Sequence, residues 1–368
     1  MTACRSCGHP HLDPALDLGP VPGSERFPFR GTSVRPDEMR NRLSMMLCRE
    51  CGLAQLGGDA GAHVHLDRTR MTYQDIGQTI GIARGAGLLD GGTLSEFAVR
   101  TGDRWLHRLQ HCGFRAAGRG ERASVVVDSF VLEQEPDQHR ALRARAAALA
   151  PDGVLLLEVH ALSEIVAQRR WDAVRYGRFA YYSITTLRRA LEDVGLLLWN
   201  AWPVGSTSDA VLVAALRDSA LFPEPFVRRR LASERAEGIT DVRTVRILQT
   251  VADRQAAALD TWLQLMAHRN RTVIAYGATP SSVTLFARAR VSSSLIAAVA
   301  DPSPDRFGRR MPGTDVPIVS PEAMVATAPD HILVMAPHDP AELHRRYPGL
   351  HGRWVMPPRS TDDFYRGD

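Results

Sequence analysis

The middle of the chain alternates short apolar runs with longer mixed stretches. Two apolar runs, residues 124–130 and 154–159, have the length and composition of buried strands. Residues 137–150 between them are rich in alanine, arginine and leucine and predict a helix, which Pro151 and Gly153 end. A strand, a helix and a second strand in this order indicate an α/β sheet.

The flanking segments extend this pattern on one side only. A helix at residues 185–194 precedes a strand at 196–201, and residues 210–216 predict a last strand that completes a hairpin-like end. Residues 94–111 predict another helix, whereas residues 53–92 predict a loop-rich segment. The central region therefore predicts half of an α/β sheet.

The last part of the chain predicts a helical segment and a second α/β unit. Residues 225–269 are charged and helix-prone, with no glycine after Gly238. A strand, a helix and a strand then follow in order: residues 272–276, 281–290 and 295–300. Asp301 lies 24 positions after Gly277, which is reminiscent of a dinucleotide site. However, Gly277 is the only glycine of its turn, so the indication of NAD binding is weak.

Composition and charge exclude several classes of protein. All 45 basic residues are arginine, which excludes Schiff-base catalysis and a Walker-type phosphate lysine. The net charge of +4 over 368 residues is too small for a duplex-binding surface. No apolar run reaches the roughly 20 residues that cross a bilayer, and the first residues lack a signal-peptide pattern. We expect a cytosolic protein of two or three domains, with a small-molecule substrate and neither nucleic-acid nor membrane partners.

Four of the five cysteines form two Cys-x-x-Cys-Gly motifs: Cys4, Cys7 and Gly8, and Cys48, Cys51 and Gly52. Two residues between cysteines let both thiolates reach one ion, and the glycine relieves the backbone where amides point at sulfur. Two such motifs complete a tetrahedron, which predicts a structural zinc site with no open position for chemistry. Cys112 stands alone, and we expect it to be a buried apolar residue.

Specific motifs stand at both ends of the chain. The N-terminal motifs are the two cysteine pairs, residues 17–22 and residues 48–56. The C-terminal motifs are residues 275–279, 301–304, 308–318 and 329–330. Together they resemble the S-adenosylmethionine-dependent C-methyltransferases of nucleotide-deoxysugar pathways, over nearly the whole chain. The resemblance implies an α/β protein of a natural-product pathway.

The resemblance also implies a division into parts. Residues 1–70 would form a small zinc-binding subdomain and residues 71–222 a degenerate, truncated methyltransferase-like α/β domain. Residues 223–270 would be a helical connector, and residues 271–368 a C-terminal Rossmann-like α/β domain.

The central domain departs from the family pattern. A methyltransferase needs a glycine-rich turn after its first strand and an acidic residue after its second to hold the cofactor. Only 50 residues, 74–123, separate Tyr73 from the strand at residue 124, and they show no strand followed by such a turn. The glycine-rich run 85–92 has no β-branched strand before it. We therefore expect the cofactor-binding half of the sheet to be deleted and S-adenosylmethionine binding to be lost.

The resemblance also locates the family's catalytic positions. Gln134 occupies the place of a family histidine. Tyr176-Gly-Arg-Phe179 aligns with a Tyr-His-Glu-His run that supplies the family's base. Glycine and phenylalanine accept no proton, and arginine stays protonated near neutral pH. We therefore expect family-type proton removal to be lost as well.

Other polar residues lie at the carboxyl ends of the predicted strands, where open α/β sheets bind ligands. Glu158 and His160 lie on the same side of an extended strand and predict an acid/base pair, or alternatively a capping carboxylate and a structural histidine. Arg178 predicts an anion clamp, or alternatively a surface salt bridge. With Tyr176, these are the candidate catalytic residues. The candidate substrate-binding residues near them are Tyr73, Asp128, Tyr181 and Tyr182.

The turn at residues 277–282 predicts an anion site. Free backbone amides at a helix start attract phosphate, and hydroxyl groups add donors. The candidate residues are Gly277, Thr279, Ser281 and Ser282. The resemblance implies that this domain helps to hold a nucleotide-linked sugar. The alternative is a glycine needed only for packing between strand and helix.

Three functional hypotheses follow. We favour an enzyme independent of S-adenosylmethionine that uses acid/base chemistry for an isomerisation, cyclisation or elimination of a small metabolite, with or without a linked sugar or nucleotide. The second hypothesis is a noncatalytic binding protein on the same scaffold. The third, which we expect least, is an S-adenosylmethionine-dependent sugar C-methyltransferase with an atypical cofactor site. The substrate and the oligomeric state do not follow from the sequence.

Overall fold

The computed structural model describes residues 3–23, 26–39, 41–58, 76–97, 104–204, 209–217, 223–335, 340–358 and 360. Tyr73 lies outside the described residues. The chain divides into two compact units. The first comprises Met1–Leu16, Met45–Arg170 and Gly177–Ile247, and the second comprises Asp17–Ser44, Trp171–Tyr176 and Leu248–Asp368. In the described ranges, every helix is too short or too polar to span a lipid bilayer.

Three strands surround the cysteine motifs in the N-terminal part: β1 (Leu12–Val21), β2 (Asn41–Cys48) and β3 (Ala54–Leu56). Strands β2 and β3 pair antiparallel, with Met45 opposite Leu56. All three residues of β3 are buried.

The central part contains five helices and seven strands among the described residues. In chain order they are α1 (Ile76–Gly85), β4 (Gly92–Phe97), α2 (Arg104–Leu109), β5 (Phe114–Ala116), β6 (Ala123–Ser129), α3 (Gln138–Ala148), β7 (Leu149–His160), α4 (Leu162–Ala167), β8 (Ala180–Tyr181), α5 (Ile184–Glu192), β9 (Leu197–Pro203) and β10 (Ala210–Leu216). Strand β8 joins the N-terminal strands in a sheet of order β1-β2-β3-β8.

The other six strands form the central sheet, in the order β5-β4-β6-β7-β10-β9. Strands β5, β4, β6 and β7 are parallel to one another, and β10 runs antiparallel to both of its neighbours. The carboxyl ends of β4, β6 and β7 therefore meet at one edge, where a sheet of this type binds ligands.

Burial on both faces explains why the central strands are so apolar. Val126 of β6 and Leu157 of β7 contribute to the hydrophobic cluster on one face of the sheet. Their neighbours Val127 and Leu156 contribute to the cluster on the other face. Because successive side chains of a strand point to opposite faces, a strand covered on both sides needs apolar residues at nearly every position. The predictions of β6 and β7 are confirmed.

The segment before β6 differs from the prediction. Residues 94–111 do not form one helix, because β4 pairs in parallel with β5 and with β6. Residues 53–92 contain β3 and α1 as well as loops. Two strands therefore lie beyond β6, and the prediction that this half of the sheet is deleted is wrong. Pairing with neighbouring strands has overridden the local helix propensity of this sequence.

Glycine at the start of β4 has a specific reason. Gly92 has a φ of +114°, and a Cβ atom there would lie 2.5 Å from Ser124 Oγ. The strand can thus begin beside β6 only with glycine at this position.

Cys112 follows α2 near the edge strand β5 and is exposed, so its prediction as a buried residue is wrong.

The last part of the chain confirms the predicted helical segment and the second α/β unit. The helical segment contains α6 (Pro225–Glu237), α7 (Val242–Val245) and α8 (Ile247–His268). The α/β unit contains β11 (Val273–Tyr276), α9 (Pro280–Arg288), β12 (Ala298–Ala300), β13 (Ile318–Val319), α10 (Pro321–Thr327), β14 (His331–Val334), α11 (Pro340–Arg346) and β15 (Trp354–Val355). The five strands that the structure describes there are parallel, in the order β13-β12-β11-β14-β15. The predicted fold class, an α/β protein with a zinc-site subdomain and two α/β domains, is confirmed.

A buried ion pair stabilises the second compact unit. Arg310 is 2% exposed, and its guanidinium donates to both carboxylate oxygens of Glu38, at 2.6 and 2.9 Å. The same guanidinium donates to the backbone oxygens of Thr32 and Ser33. These bonds compensate for removing the charge from water and hold residues 32–38 against the α/β unit.

Candidate functional site

The four paired cysteines converge on one point. The Sγ atoms of Cys4, Cys7, Cys48 and Cys51 all lie within 4.8 Å of one another. A tetrahedral zinc ion with Zn–S bonds of ~2.3 Å requires S–S separations of roughly 3.8 Å, which this cluster matches. The two motifs fold alike, since the amide after each second cysteine donates to the carbonyl of the first at 3.0 Å. The predicted four-cysteine zinc site is confirmed.

The zinc subdomain also supports a segment that carries candidate catalytic residues. Strand β3 pairs antiparallel with β8, with Ala54 opposite Tyr181. Phe179, which immediately precedes β8, accepts a hydrogen bond from the Leu56 amide at 3.0 Å and donates one to the Glu133 carbonyl at 2.7 Å. Both bonds fix the backbone directly after Arg178.

Three charged or titratable side chains meet at the carboxyl edge of the central sheet. His160 ends β7, and its Nδ1 lies 2.8 Å from Glu133 Oε2. The backbone amide of His160 donates to Glu133 Oε1 at 2.7 Å. On the other side of the ring, Arg178 Nη2 lies 3.2 Å from His160 Nε2. Arg178 Nε is 3.5 Å from Glu133 Oε2, so the three groups contact one another in pairs.

The charges of this cluster balance. Burial by itself would raise the pKa of Glu133, but His160 and Arg178 together hold that pKa below its ordinary value. Burial lowers the pKa of His160, and the Arg178 guanidinium lowers it further, against the opposing effect of Glu133. Glu133 is therefore a carboxylate, and His160 is a neutral imidazole near neutral pH. The imidazole side chain is 17% exposed, so a ligand can reach it.

The contacts of His160 determine its tautomer. Nδ1 faces a carboxylate, which only accepts hydrogen bonds, and Nε2 faces a guanidinium, which only donates them. The neutral ring therefore carries its proton on Nδ1 and presents a lone pair on Nε2. Such a nitrogen can accept a proton, which is the chemistry of a general base.

The residue that packs on this imidazole has an unusual backbone. Phe130 has a φ of +60°, although it is not glycine, and its ring centroid lies 4.5 Å from that of His160. A non-glycine residue in this region costs about 1–3 kcal/mol, and such strain concentrates at functional sites. The turn after β6 thus holds the imidazole in place from one side.

The structure brings together three of the predicted site residues, His160, Arg178 and Tyr181. The guanidinium carbon of Arg178 lies 5.6 Å from the centroid of the Tyr181 ring, within cation–π range. Glu158, expected to pair with His160, instead accepts a hydrogen bond from Thr79 Oγ1 at 3.0 Å. The carboxylate that bonds His160 is that of Glu133.

Two further predicted residues are fully buried and bonded within the protein. Asp128 is 0% exposed and lies 2.7 Å from Arg145 in an ion pair, and it also accepts the backbone amides of Val131 and Leu132. The Tyr182 hydroxyl donates to Gln138 Oε1 at 2.7 Å. Burial raises the pKa of Tyr182 well above its usual value. The substrate-binding role of both residues stays a prediction.

Tyr176 belongs to the second compact unit. Its hydroxyl is within hydrogen-bond distance of two backbone oxygens, 2.7 Å from that of Asn41 and 3.2 Å from that of Val21, and it donates its proton toward them. Burial raises the pKa of this hydroxyl. A catalytic role for Tyr176 stays a prediction.

The turn at residues 277–282 satisfies most of its own amides. Ala278 N–H donates to Asp301 Oδ2 at 2.8 Å, and the side chains of Thr279 and Ser282 cap each other's amides. Gly277 N–H donates to the Ala300 carbonyl. An anion at this turn would have to replace these bonds. The predicted role of Gly277, Thr279, Ser281 and Ser282 in binding stays a prediction.

Sequence reasoning missed Glu133. The residue lies in a single turn after β6, directly after the apolar residues 130–132, and is 1% exposed. An acidic residue so close to the carboxyl end of a buried parallel strand is the signal that could have identified it, because such a position faces the ligand-binding edge.

Three family profiles match consecutive parts of the chain. A zinc-binding domain matches residues 4–61, a methyltransferase domain matches residues 70–201, and a C-methyltransferase C-terminal domain matches residues 210–357. The chain is 25% identical over 399 aligned residues to the C-methyltransferase NovU of Streptomyces niveus, covering 96% of this chain and 94% of the relative. The chain thus has the zinc-binding, methyltransferase and C-methyltransferase C-terminal domains in the order that the resemblance implies.

Solved structures of other methyltransferases overlap with parts of this chain. The magnesium protoporphyrin IX methyltransferase ChlM of Synechocystis shares 13% identity at a TM-score of 0.28, covering 39% of this chain and 81% of its own. The 1,6-didemethyltoxoflavin-N1-methyltransferase of Burkholderia thailandensis shares 13% identity at a TM-score of 0.27, covering 38% of this chain and 76% of its own.

The methyltransferase-domain match corrects the favoured functional hypothesis. The expectation of an enzyme that has lost S-adenosylmethionine and isomerises, cyclises or eliminates a metabolite is wrong, because the methyltransferase domain is matched from residue 70 to residue 201. The physical source of the error is β4. Its pairing with β5 and β6 makes residues 92–97 a strand, where the sequence pattern indicated the start of one helix. The zinc-binding part of the resemblance is confirmed.

Proposed function

We propose that this C-methyltransferase is S-adenosylmethionine-dependent and methylates a carbon next to a carbonyl group of a nucleotide-linked deoxysugar in a natural-product pathway. The observation that carries the proposal is the succession of zinc-binding, methyltransferase and C-methyltransferase matches at residues 4–61, 70–201 and 210–357. The curated relative NovU, described as a C-methyltransferase, extends over the same parts.

The carboxyl edge of the central sheet fits a polar cofactor. Two buried polar atoms at this edge, Ser129 Oγ and Gln134 Oε1, have no hydrogen-bond partner among the described residues. Buried polar atoms are nearly always bonded in folded proteins, so these two support a polar ligand there. We propose that S-adenosylmethionine binds along the ends of β4 and β6, and it supplies an electrophilic methyl group when bound.

The His160 cluster supports the carbon chemistry. A carbon becomes nucleophilic only after its proton is removed, and a neighbouring carbonyl stabilises the resulting charge as an enolate. We propose that His160 Nε2 accepts this proton and that the Arg178 guanidinium faces the enolate oxygen. Both atoms lie on the ligand-binding edge of the sheet, and Nε2 and Nη2 are 3.2 Å apart. Zinc keeps a structural role, because four thiolates leave no coordination position open.

A methyl-transfer assay tests the proposal. The zinc-loaded protein is incubated with carbon-labelled S-adenosylmethionine and a panel of nucleotide-linked keto sugars, and NMR identifies the atom that receives the label. We expect a new carbon–methyl bond beside the carbonyl in at least one sugar. Transfer to oxygen or nitrogen only, or no transfer to any of these sugars, would contradict the proposal.

A further inference from the structure

Glu133 holds His160 through two hydrogen bonds while remaining almost completely buried. Its side chain is 1% exposed, and its two oxygens accept from the backbone amide and from Nδ1 of the same histidine. Two bonds to one residue fix both the position and the rotation of the ring. Glu133 also fixes the segment that bears Arg178, since its carbonyl accepts the Phe179 amide.

We infer that Glu133 positions His160 for proton removal by fixing the Nδ1–H tautomer, and that Arg178 occupies Nε2 until a substrate oxygen takes over the guanidinium. The inference rests on the proposed function for the reaction that it serves. The tautomer itself is a property of the protein without any ligand. Glu133 does not contact the reacting atoms, so it acts as a positioning residue.

The proton transfer balances within this set of groups. The substrate C–H bond breaks, its proton goes to His160 Nε2, and its electron pair moves to the carbonyl oxygen as an enolate. The imidazole becomes an imidazolium with a proton on each nitrogen, and Glu133 stabilises it through the Nδ1–H bond. The enolate oxygen faces the Arg178 guanidinium, which stays protonated throughout.

Arg178 couples substrate binding to this step. A guanidinium donor and an arriving proton cannot both occupy the single lone pair of Nε2. Arg178 must therefore leave Nε2 before the ring accepts a proton, and a polarised substrate oxygen gives it a new acceptor. Among the described residues, the charged groups that act on His160 are Glu133, Arg178 and Asp209. Their charges stay the same while Arg178 moves from Nε2 to the substrate oxygen, until the proton reaches the ring.

Nitrogen NMR of the ligand-free protein with isotope-labelled histidine tests the tautomer directly. The His160 signal is assigned by its absence in His160→Gln. We expect Nδ1 protonated and Nε2 unprotonated near neutral pH. A ring protonated on Nε2 would overturn the inference. This result does not depend on methyl transfer, so a protein with the expected tautomer and no activity would refute the proposed function alone.

The variant Glu133→Gln tests the positioning role. A carboxamide has one acceptor oxygen and an NH₂ donor, so one of the two Glu133 positions that accept from His160 becomes a donor. We expect kcat to fall by on the order of a hundredfold or more with little change in KM, because a wrong tautomer removes the accepting lone pair. Loss of the carboxylate charge also lowers the pKa of His160. In a plot of the methyl-transfer rate against pH, the acidic limb therefore moves to lower pH.

Two further variants separate this role from folding. Glu133→Asp keeps the charge, and we expect it to restore the tautomer signal and part of kcat. Glu135→Gln makes the same change two residues away, at a side chain that is 43% exposed, and leaves His160 unchanged. An unaltered tautomer and an unaltered kcat in Glu133→Gln would overturn the inference, as would equal effects of the changes at Glu133 and Glu135. If Glu133→Gln does not fold, the His160 tautomer measured in the wild-type protein by nitrogen NMR is the test of the inference.

Discussion

Glu133 Oε2 and His160 Nδ1 are 2.8 Å apart, although the two residues are separated by 27 positions in the chain. The contact joins the turn after β6 to the end of β7, two strands that lie side by side in the sheet. A carboxylate bonded to one nitrogen of an imidazole leaves the other nitrogen as the basic one. This relationship connects the fold to the proposed carbon chemistry.

Replacing the proposed base removes most of the activity. His160→Gln keeps the size and polarity of the side chain but has no nitrogen that accepts a proton. We expect kcat for methyl transfer to fall by roughly 10²–10⁴-fold, the usual contribution of a general base. His107→Gln, on the exposed surface of α2, is the matched control and keeps its activity. Equal rates for the two variants would refute the role of His160.

Removing the guanidinium changes the pH profile in a defined direction. Arg178 lowers the pKa of His160, so Arg178→Gln raises that pKa. Since His160 acts as a base only when neutral, the acidic limb of the rate profile then moves to higher pH. Arg108→Gln on α2 is the control and leaves the profile in place. A shift to lower pH, or none, would show that Arg178 does not face the imidazole in solution.

Replacing a paired cysteine should affect zinc binding and stability, whereas replacing the lone cysteine should not. Cys48→Ser removes one of four thiolates, and we expect the protein to lose zinc and to melt at a lower temperature. Cys112→Ser changes an exposed thiol outside the cluster and keeps both the metal and the melting temperature. Zinc content is measured by mass spectrometry, and the melting temperature by thermal unfolding, for both variants and the wild type. Full zinc content in Cys48→Ser would contradict a four-cysteine site.

The two glycines after the cysteine pairs differ in what surrounds them. Both have a φ of +74°, which costs alanine roughly 1–2 kcal/mol. A Cβ atom at Gly8 meets nothing within 4 Å, whereas one at Gly52 would lie 2.6 Å from Thr240 Cγ2. We expect Gly52→Ala to destabilise the protein by a further ~1–3 kcal/mol relative to Gly8→Ala. Equal melting temperatures for the two variants would contradict this packing.

The ion pair between Glu38 and Arg310 gives stability that depends on pH. The Arg310 guanidinium lowers the pKa of Glu38 to about 2, below the ~4.3 of an unfolded glutamate. The pair therefore stabilises the folded state fully above ~4.3 and loses this effect as the pH falls towards 2. We expect the difference in urea midpoint between wild type and Glu38→Gln to shrink over that range. A difference in urea midpoint that stays constant over that range would contradict this.

Local sequence determined some parts of this protein and not others. The zinc site could be predicted because the spacing of its cysteines itself encodes the geometry. Strands β6 and β7 could be predicted because burial on both faces leaves a continuous apolar run. Strand β4 could not, because its six residues, Gly-Thr-Leu-Ser-Glu-Phe, become a strand only through pairing with β5 and β6.

The candidate site shows the same limit. His160 and Arg178 could be proposed because each lies near the end of a predicted strand or in a recognisable motif. The position of Glu133 just after a predicted strand was a usable signal, but its pairing with His160 and Arg178 could not be predicted, because the fold alone brings these groups together. Alternation along a strand suggested Glu158 as the partner of His160, but it does not specify which carboxylate a side chain meets, and an acid/base role for Glu158 stays a prediction.

The most direct test of the account is calorimetric titration of the zinc-loaded protein with S-adenosylhomocysteine. Retention of the cofactor site is the claim on which proton removal by His160 and methyl transfer both depend. We predict saturable binding of one ligand per chain at micromolar concentration, with S-adenosylmethionine competing for the same site. No binding of either ligand at millimolar concentration would contradict the account and exclude this protein from methyl transfer.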